Sequence, residues 1–412
     1  MAEKQLSIKQ NMLWNSFGSL VNLGAQWLMA VLLVRLANGY EAAGIFSLAV
    51  SVYTIFGSIA QYRMYAYQVS DVKNENTVGE YLSFRFITSA VALALCVAYS
   101  LLTCSQDSWL AIVLYGVYRT VMLAIDVFHA CDQRHHRMDY IGKSLALQGV
   151  TSLVSFIGVF IVSSSLELAI LSMVVAVFAV GLLYDLPRTK TLESIVLGIS
   201  RKKVIYLLIS CFSIVLAGVI ASATSTIPRQ YLSFSMGNEM LGVYASVAAP
   251  VAIIQMGASY VYNPLLGYFS EYYAARDSKA FFGLMMKSTL LIAAIGVACA
   301  IALAIFGGPL LILVFGESIA PHVYLLLPLV AFAVLTGYSW FINDLLIGLR
   351  NFKATFLGCV VAFVAVILCM VPLVHLFGMN GVTFAGIASS VLGIMVMLLM
   401  LCKQLGAWFR SS

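Results

Sequence analysis

Met12 to Val34 reads MLWNSFGSLVNLGAQWLMAVLLV, an uncharged apolar stretch whose length matches the roughly 20 residues that a helix needs to cross a bilayer core. The polar leader Met1 to Asn11, with Lys4 and Lys9, gives it the superficial look of a signal peptide. The block is too long for a cleavable apolar region, no convincing cleavage site follows it, and about eleven similar blocks come after. It therefore reads as the first of a series of membrane spans.

Composition supports the same reading. Of 412 residues, 62% are hydrophobic and only 10% charged, too few polar side chains to solvate a globule of this size. The later blocks run at about 42–62, 82–102, 109–130, 144–162, 168–184, 204–226, 241–262, 284–306, 322–347, 354–376 and 381–401. Short connectors leave no room for a soluble domain. The 8 cysteines form no CxxC pair and no zinc-like cluster; most, such as Cys96, Cys211 and Cys359, read as small membrane hydrophobes.

Twelve spans put both termini on one side, and the Lys and Arg residues test that map. All but four of the 23 fall in the leader, the even-numbered connectors or the tail. Arg35 and Arg229 lie in odd-numbered connectors, and Arg85 and Arg119 lie inside blocks. Such segregation places the termini in the cytoplasm. The expected fold is an all-α integral membrane protein of about 12 transmembrane helices.

The chain also repeats. Glu41–Phe46 reads EAAGIF and Glu239–Tyr244 reads EMLGVY, an offset that Tyr62 and Tyr260 share. Both segments start a block and follow an arginine, Arg35 or Arg229. An even number of spans per half implies two parallel six-helix repeats around a central cleft. The division expected is a lobe over 1–190, a basic connector over 191–203 and a second lobe over 204–412.

Charge inside the blocks points to chemistry. Arg119 sits mid-block, where a guanidinium costs roughly 3 kcal/mol or more on insertion scales and so must face protein, water or a ligand. Asp126 shares its helix face with Tyr115, and His129 continues that face. A structural ion pair is the alternative reading. Arg85 lies near a block end and can snorkel. Asn15, Ser19, Asn22 and Gln26 draw one polar stripe, either a helix-to-helix seam or a cavity wall. Asp344 is a candidate ion-coupling carboxylate. No phosphate loop, GxSxG, HExxH or framed carboxylate pair is present, so the chain reads as a transporter rather than an enzyme.

With these residues in view, the chain resembles the Wzx-type O-antigen flippases of the multidrug/oligosaccharidyl-lipid/polysaccharide exporter superfamily. Asn15 to Arg35, Glu41 to Phe46, the run from Tyr118 and Arg119 through Asp126 to Gln133, Arg134, Arg137 and Ile141, and Ile227 to Tyr231 with Gly242 and Tyr244 carry the likeness. The resemblance implies transfer of an undecaprenyl-diphosphate-linked oligosaccharide from the cytoplasmic to the periplasmic leaflet of a bacterial inner membrane by alternating access. It implies proton or sodium coupling through Asp126 or Asp344, no cofactor, and work beside an O-antigen polymerase and a chain-length regulator, with no nucleic acid. Arg119, with Arg35, Arg229 and Arg85, would meet the diphosphate, and Asn22 and Gln26 the sugar hydroxyls. A drug or cation exporter of the same fold and a membrane polysaccharide polymerase or ligase are the rival readings. The exporter would favour an acidic cleft, and the polymerase a long outer loop.

Overall fold

The computed structural model describes residues 8–37, 39–69, 71, 75–262 and 265–410. Lys4 and Lys73 of the charge map lie outside the described residues, as does the side chain of Tyr260. In chain order the helices are α1 (Ile8–Leu36), α2 (Glu41–Gln61), α3 (Met64–Val69), α4 (Val78–Thr103), α5 (Gln106–Arg134), α6 (Met138–Ser163) and α7 (Leu166–Val180). A π turn (Gly181–Asp185) leads into α8 (Leu186–Leu192). Then come α9 (Arg201–Met236), α10 (Asn238–Ala248), α11 (Ala252–Tyr262), α12 (Leu266–Ala274) and α13 (Ser278–Phe315). A 3-10 turn (Glu317–Leu325) precedes α14 (Leu326–Gly348), α15 (Phe352–Phe377) and α16 (Met379–Arg410).

Among the described residues 10 helices are long and apolar enough to cross a membrane, and two bent pairs, 201–236 and 238–259, raise the number to as many as 12. Every described element is helical or a turn, as expected where unpaired backbone has no water to bond. Val162 and Leu102 are 87% and 85% exposed, which suits side chains solvated by lipid tails. This is a multi-pass membrane protein.

The chain divides into two compact units, Met1–Val219 and Ile220–Ser412. The division falls inside α9, beyond the 191–203 connector, because the first half of that helix packs on the N-terminal unit: Leu207, Cys211 and Val215 join a cluster with Tyr62, Tyr81, Phe84 and Phe128. Pro228 does not end α9; the helix runs on to Met236.

In lipid, helices gain little from burying apolar surface against one another, so close backbone approach and polar contacts hold them. Helices α1 and α6 show both. A Cβ on Gly142 would lie 2.1 Å from the carbonyl oxygen of Trp14, and one on Gly18 would lie 2.1 Å from that of Gly142. Asn22, buried beside this seam, donates from Nδ2 to the Leu145 carbonyl at 3.0 Å, and exposed Gln26 donates to Asn22 Oδ1 at 2.6 Å.

The C-terminal unit has its own core, in which Ala258, Tyr262, Phe269, Phe281, Phe341 and Ile342 meet Met397, Leu401 and Leu405 of α16. The repeated segments Glu41–Phe46 and Glu239–Tyr244 each begin a helix, α2 and α10.

Candidate functional site

Arg119 lies near the middle of α5 and is half-buried. No carboxylate pairs with it among the described residues; its Nη1 reaches only the Met122 sulfur, at 3.7 Å. Tyr115, Tyr118 and Tyr53 are the groups in electrostatic reach, with Asp126 further down the helix. The three tyrosines form a chain of rings, with centroids 6.2 Å apart between Tyr53 and Tyr115 and 5.7 Å between Tyr115 and Tyr118. Phe46 closes on Tyr115 at 5.7 Å. The Tyr53 hydroxyl is buried with no hydrogen-bond partner. A guanidinium among aromatic rings, with its donors unmatched by any carboxylate, is a fit for a bidentate oxyanion such as phosphate, and the phenols suit the apolar faces and hydroxyls of a sugar.

Within the N-terminal unit, the structure does not bring Arg35 or Arg85 beside Arg119. Arg35 is exposed at the end of α1, and Arg229 lies in the C-terminal unit inside α9, where Tyr244 feels its charge. Arg85 neither snorkels nor faces open space: it is 1% exposed and donates to the carbonyls of Ala60 and Gln61. Thr88 Oγ1 adds a bond to Ala60 at 2.9 Å. These are the orphan carbonyls at the C-terminus of α2, where Tyr62 and Arg63 turn left-handed at φ 43° and 56°. A cation there also matches the negative end of the helix dipole. Arg85 is inside because α4 starts at Val78, a turn earlier than expected; Thr77 and Glu80 form a capping box. Asn22 is likewise committed to α6.

Of the ion-coupling candidates, Asp344 accepts from the Tyr262 hydroxyl at 2.8 Å in the C-terminal unit. Asp126 is 38% exposed, with His129 Nδ1 at 4.0 Å. Beneath it lies a group that sequence reading missed. His129 Nε2 faces Asp185 Oδ1 at 3.4 Å. Asp185 Oδ2 accepts from Ser144 Oγ at 2.9 Å, and Gln148 Nε2 donates to the same hydroxyl at 2.9 Å. Asp185 stood at the edge of its apolar block and read as connector. Pro187 explains its position: lacking an N–H, it breaks the α-helical ladder, and the widened turn bonds Leu186 N to Gly181 O. Gly181 lets α7 approach α5, since a Cβ there would strike Ile125 at 2.9 Å.

At the end of α5, Cys131, His135 and Glu193 place one ligand atom each within 4.8 Å of the others. Glu193 is already paired with Arg134, and His135 Nδ1 lies 3.0 Å from the Cys131 carbonyl, so the charges there balance without a metal.

No protein-family model and no curated protein sequence matches this chain. Solved structures do. An inward-facing multidrug resistance MATE family transporter of the MOP superfamily superposes with a TM-score of 0.68 at 14% identity, over 98% of this chain and 99% of its own. Lipid II flippase MurJ, in an inward closed conformation, gives 0.75 at 10% identity, over 95% of this chain and 87% of MurJ. A MOP superfamily transporter from Pyrococcus furiosus, described by the reverse polarity of its binding pocket, gives 0.60 at 13% identity, over 97% and 96%. The likeness is one of architecture: this chain has the fold of the MOP-superfamily transporters.

Proposed function

We propose that the protein is a flippase that moves an oligosaccharide linked to undecaprenyl diphosphate from the cytoplasmic to the periplasmic leaflet of a bacterial inner membrane. The observation that carries the reading is Arg119, a mid-span guanidinium with no carboxylate partner among the described residues and a wall of tyrosines beside it. An unpaired cation at membrane depth is costly, and an anionic ligand in the substrate-bound state offsets that cost. The fold supports transport, since it is shared with multidrug MATE transporters and with a lipid II flippase.

In this mechanism the Arg119 fork holds two diphosphate oxygens while Tyr53, Tyr115 and Tyr118 meet the first sugars. Arg35 and Arg229 supply further positive charge along the path, Gln26 offers an amide to sugar hydroxyls, and an ion gradient drives alternating access. Both termini face the cytoplasm. The substrate is an O-antigen or related surface-polysaccharide repeat unit, delivered to a polymerase and its chain-length regulator.

Deleting the gene in its host and assigning the leaflet of undecaprenyl-linked intermediates with an impermeant sugar-modifying reagent tests this reading. The expected result is accumulation of complete repeat units facing the cytoplasm and loss of surface polymer, restored by the wild-type gene and not by Arg119→Ala at equal protein level. Single repeat units reaching the surface unpolymerised would instead identify a polymerase. Unchanged polysaccharide with new sensitivity to cationic drugs would identify a drug exporter.

A further inference from the structure

The N-terminal unit holds more buried negative charge than its protein partners balance. Asp185 and Asp132 are each 1% exposed, and His129 is 3% exposed. Both oxygens of Asp132 and the Asp185 Oδ1 that faces His129 make no hydrogen bond. Asp132 is one helical turn from His129, and the charged groups that act on it are His129, Asp185, Asp139 and Arg137. Two carboxylates and one imidazole are therefore buried together between α5, α6 and the π turn.

The surrounding cations are engaged elsewhere. Arg137 makes a forked pair with Asp139, at 3.0 and 3.2 Å, and its guanidinium covers the Tyr140 ring. Lys143 reaches Asp139 at 3.5 Å. Arg188 lies over the Tyr184 ring at 3.7 Å and donates to the Tyr184 carbonyl. Arg134 holds Glu193, and Arg85 holds the end of α2. From α3, Tyr65 donates to Gln133 Oε1, and partly exposed Asp126 adds a further negative charge 4.0 Å from His129 Nδ1.

Leaving two carboxylates ionised here would cost several kcal/mol for each uncompensated charge. We propose that His129, Asp185 and Asp132 form a proton-binding site of two protons, one shared across the His129–Asp185 contact and one on Asp132. Two protons make the group neutral, and Ser144 with Gln148 fixes the Asp185 carboxylate so that its other oxygen faces the imidazole. Sodium is the less suitable occupant, because an imidazole holding a proton repels it and a neutral one is a poor ligand for a hard cation beside carboxylates. Because the group joins α5 to α6 and to the π turn, losing its protons sets Asp185 against Asp132 and loosens α7 from α5. The site stands independently of the cargo assigned above.

Potentiometric titration of the full chain in detergent, from about pH 5 to about pH 9, tests it, since interacting groups titrate as a set over such a range. Wild type should release one proton more per chain than Asp132→Asn, one more than Asp185→Asn, and two more than the double variant, because each carboxylate removed takes away one negative charge that a proton must balance. Infrared spectra at neutral pH supply a readout that needs no transport: the band of a non-ionised carboxyl should be present in wild type and lost in Asp132→Asn. Replacing sodium by choline at equal ionic strength should leave both readouts unchanged. Superimposable titrations of wild type and variants, or proton release triggered by sodium, would overturn the proposal. Should Asp132→Asn fail to fold, Asp185→Asn alone decides it through the proton count.

Discussion

Substituting alanine at Gly142 tests the claim that main-chain contact, not side-chain bulk, joins α1 to α6. The added methyl would sit 2.1 Å from the Trp14 carbonyl oxygen and 2.6 Å from its carbon. Real Cβ atoms essentially never come within 3.0 Å of a neighbour, so one helix must retreat by roughly an ångström. No flexible side chain can absorb the shift, because both partners are backbone. Overpacking of this kind costs about 1–3 kcal/mol, and the rigid geometry puts Gly142→Ala in the upper half, about 2 kcal/mol or more. At roughly 2–4 °C per kcal/mol for a unit of this size, the apparent melting temperature in detergent should fall by about 4–8 °C. Gly158, on the same helix, is the control, since nothing lies within 4 Å of its Cβ position. Gly158→Ala should be neutral or slightly stabilising through helix propensity. Equal melting of wild type and Gly142→Ala, or equal losses in both variants, would refute the reasoning.

Arg85→Met should destabilise by about 1–3 kcal/mol, seen as a lower melting temperature, because it removes the donor from the Gln61 carbonyl and leaves the buried Ala60 carbonyl with Thr88 alone. Asp71 lies between the spans; burial pushes its carboxyl up, but the N–H groups of Glu75 and Asn76, the Tyr81 hydroxyl and the charge of Arg134 together hold it below its ordinary 3.8. Its contribution is therefore complete above that value and lost as pH falls through the lower folded-state value, so Asp71→Ala should cost about 1–3 kcal/mol at neutral pH and flatten the acid limb of a melting-temperature profile. Arg119→Lys should keep the charge yet lose most flippase activity in the leaflet assay, since an ammonium cannot reproduce a forked contact; full activity would sink that role.

Spans were legible because about 20 apolar residues in a row have few other fates, and Arg119 stood out because the cost of its position is high wherever the helix faces. Arg85 was misplaced for a local reason: the Thr77–Glu80 capping box extends α4 at its start and carries the arginine inward. Arg229 moved for the opposite reason, since membrane helices tolerate proline and α9 continues past Pro228. Asp185 was invisible because a π turn shifts the helical face by a residue without changing the hydropathy of the block. Asn22 showed the right chemistry, and only the fold could show that its partner is the Leu145 carbonyl.

The seam between Gly18 and Gly142 also sets a schedule for biosynthesis. Those glycines are 124 positions apart in the chain. At about 5–20 residues per second, a ribosome takes roughly 6–25 s to make that stretch. For that interval α1 sits in the bilayer without its partner, carrying a polar amide at Asn22 whose final acceptor, Leu145, has not been made. The bond from Gln26 to Asn22 lies within one helix and is available throughout. One amide thus chaperones the other, and Gln26→Leu should lower the yield of inserted protein more than it lowers the melting temperature of the protein that survives.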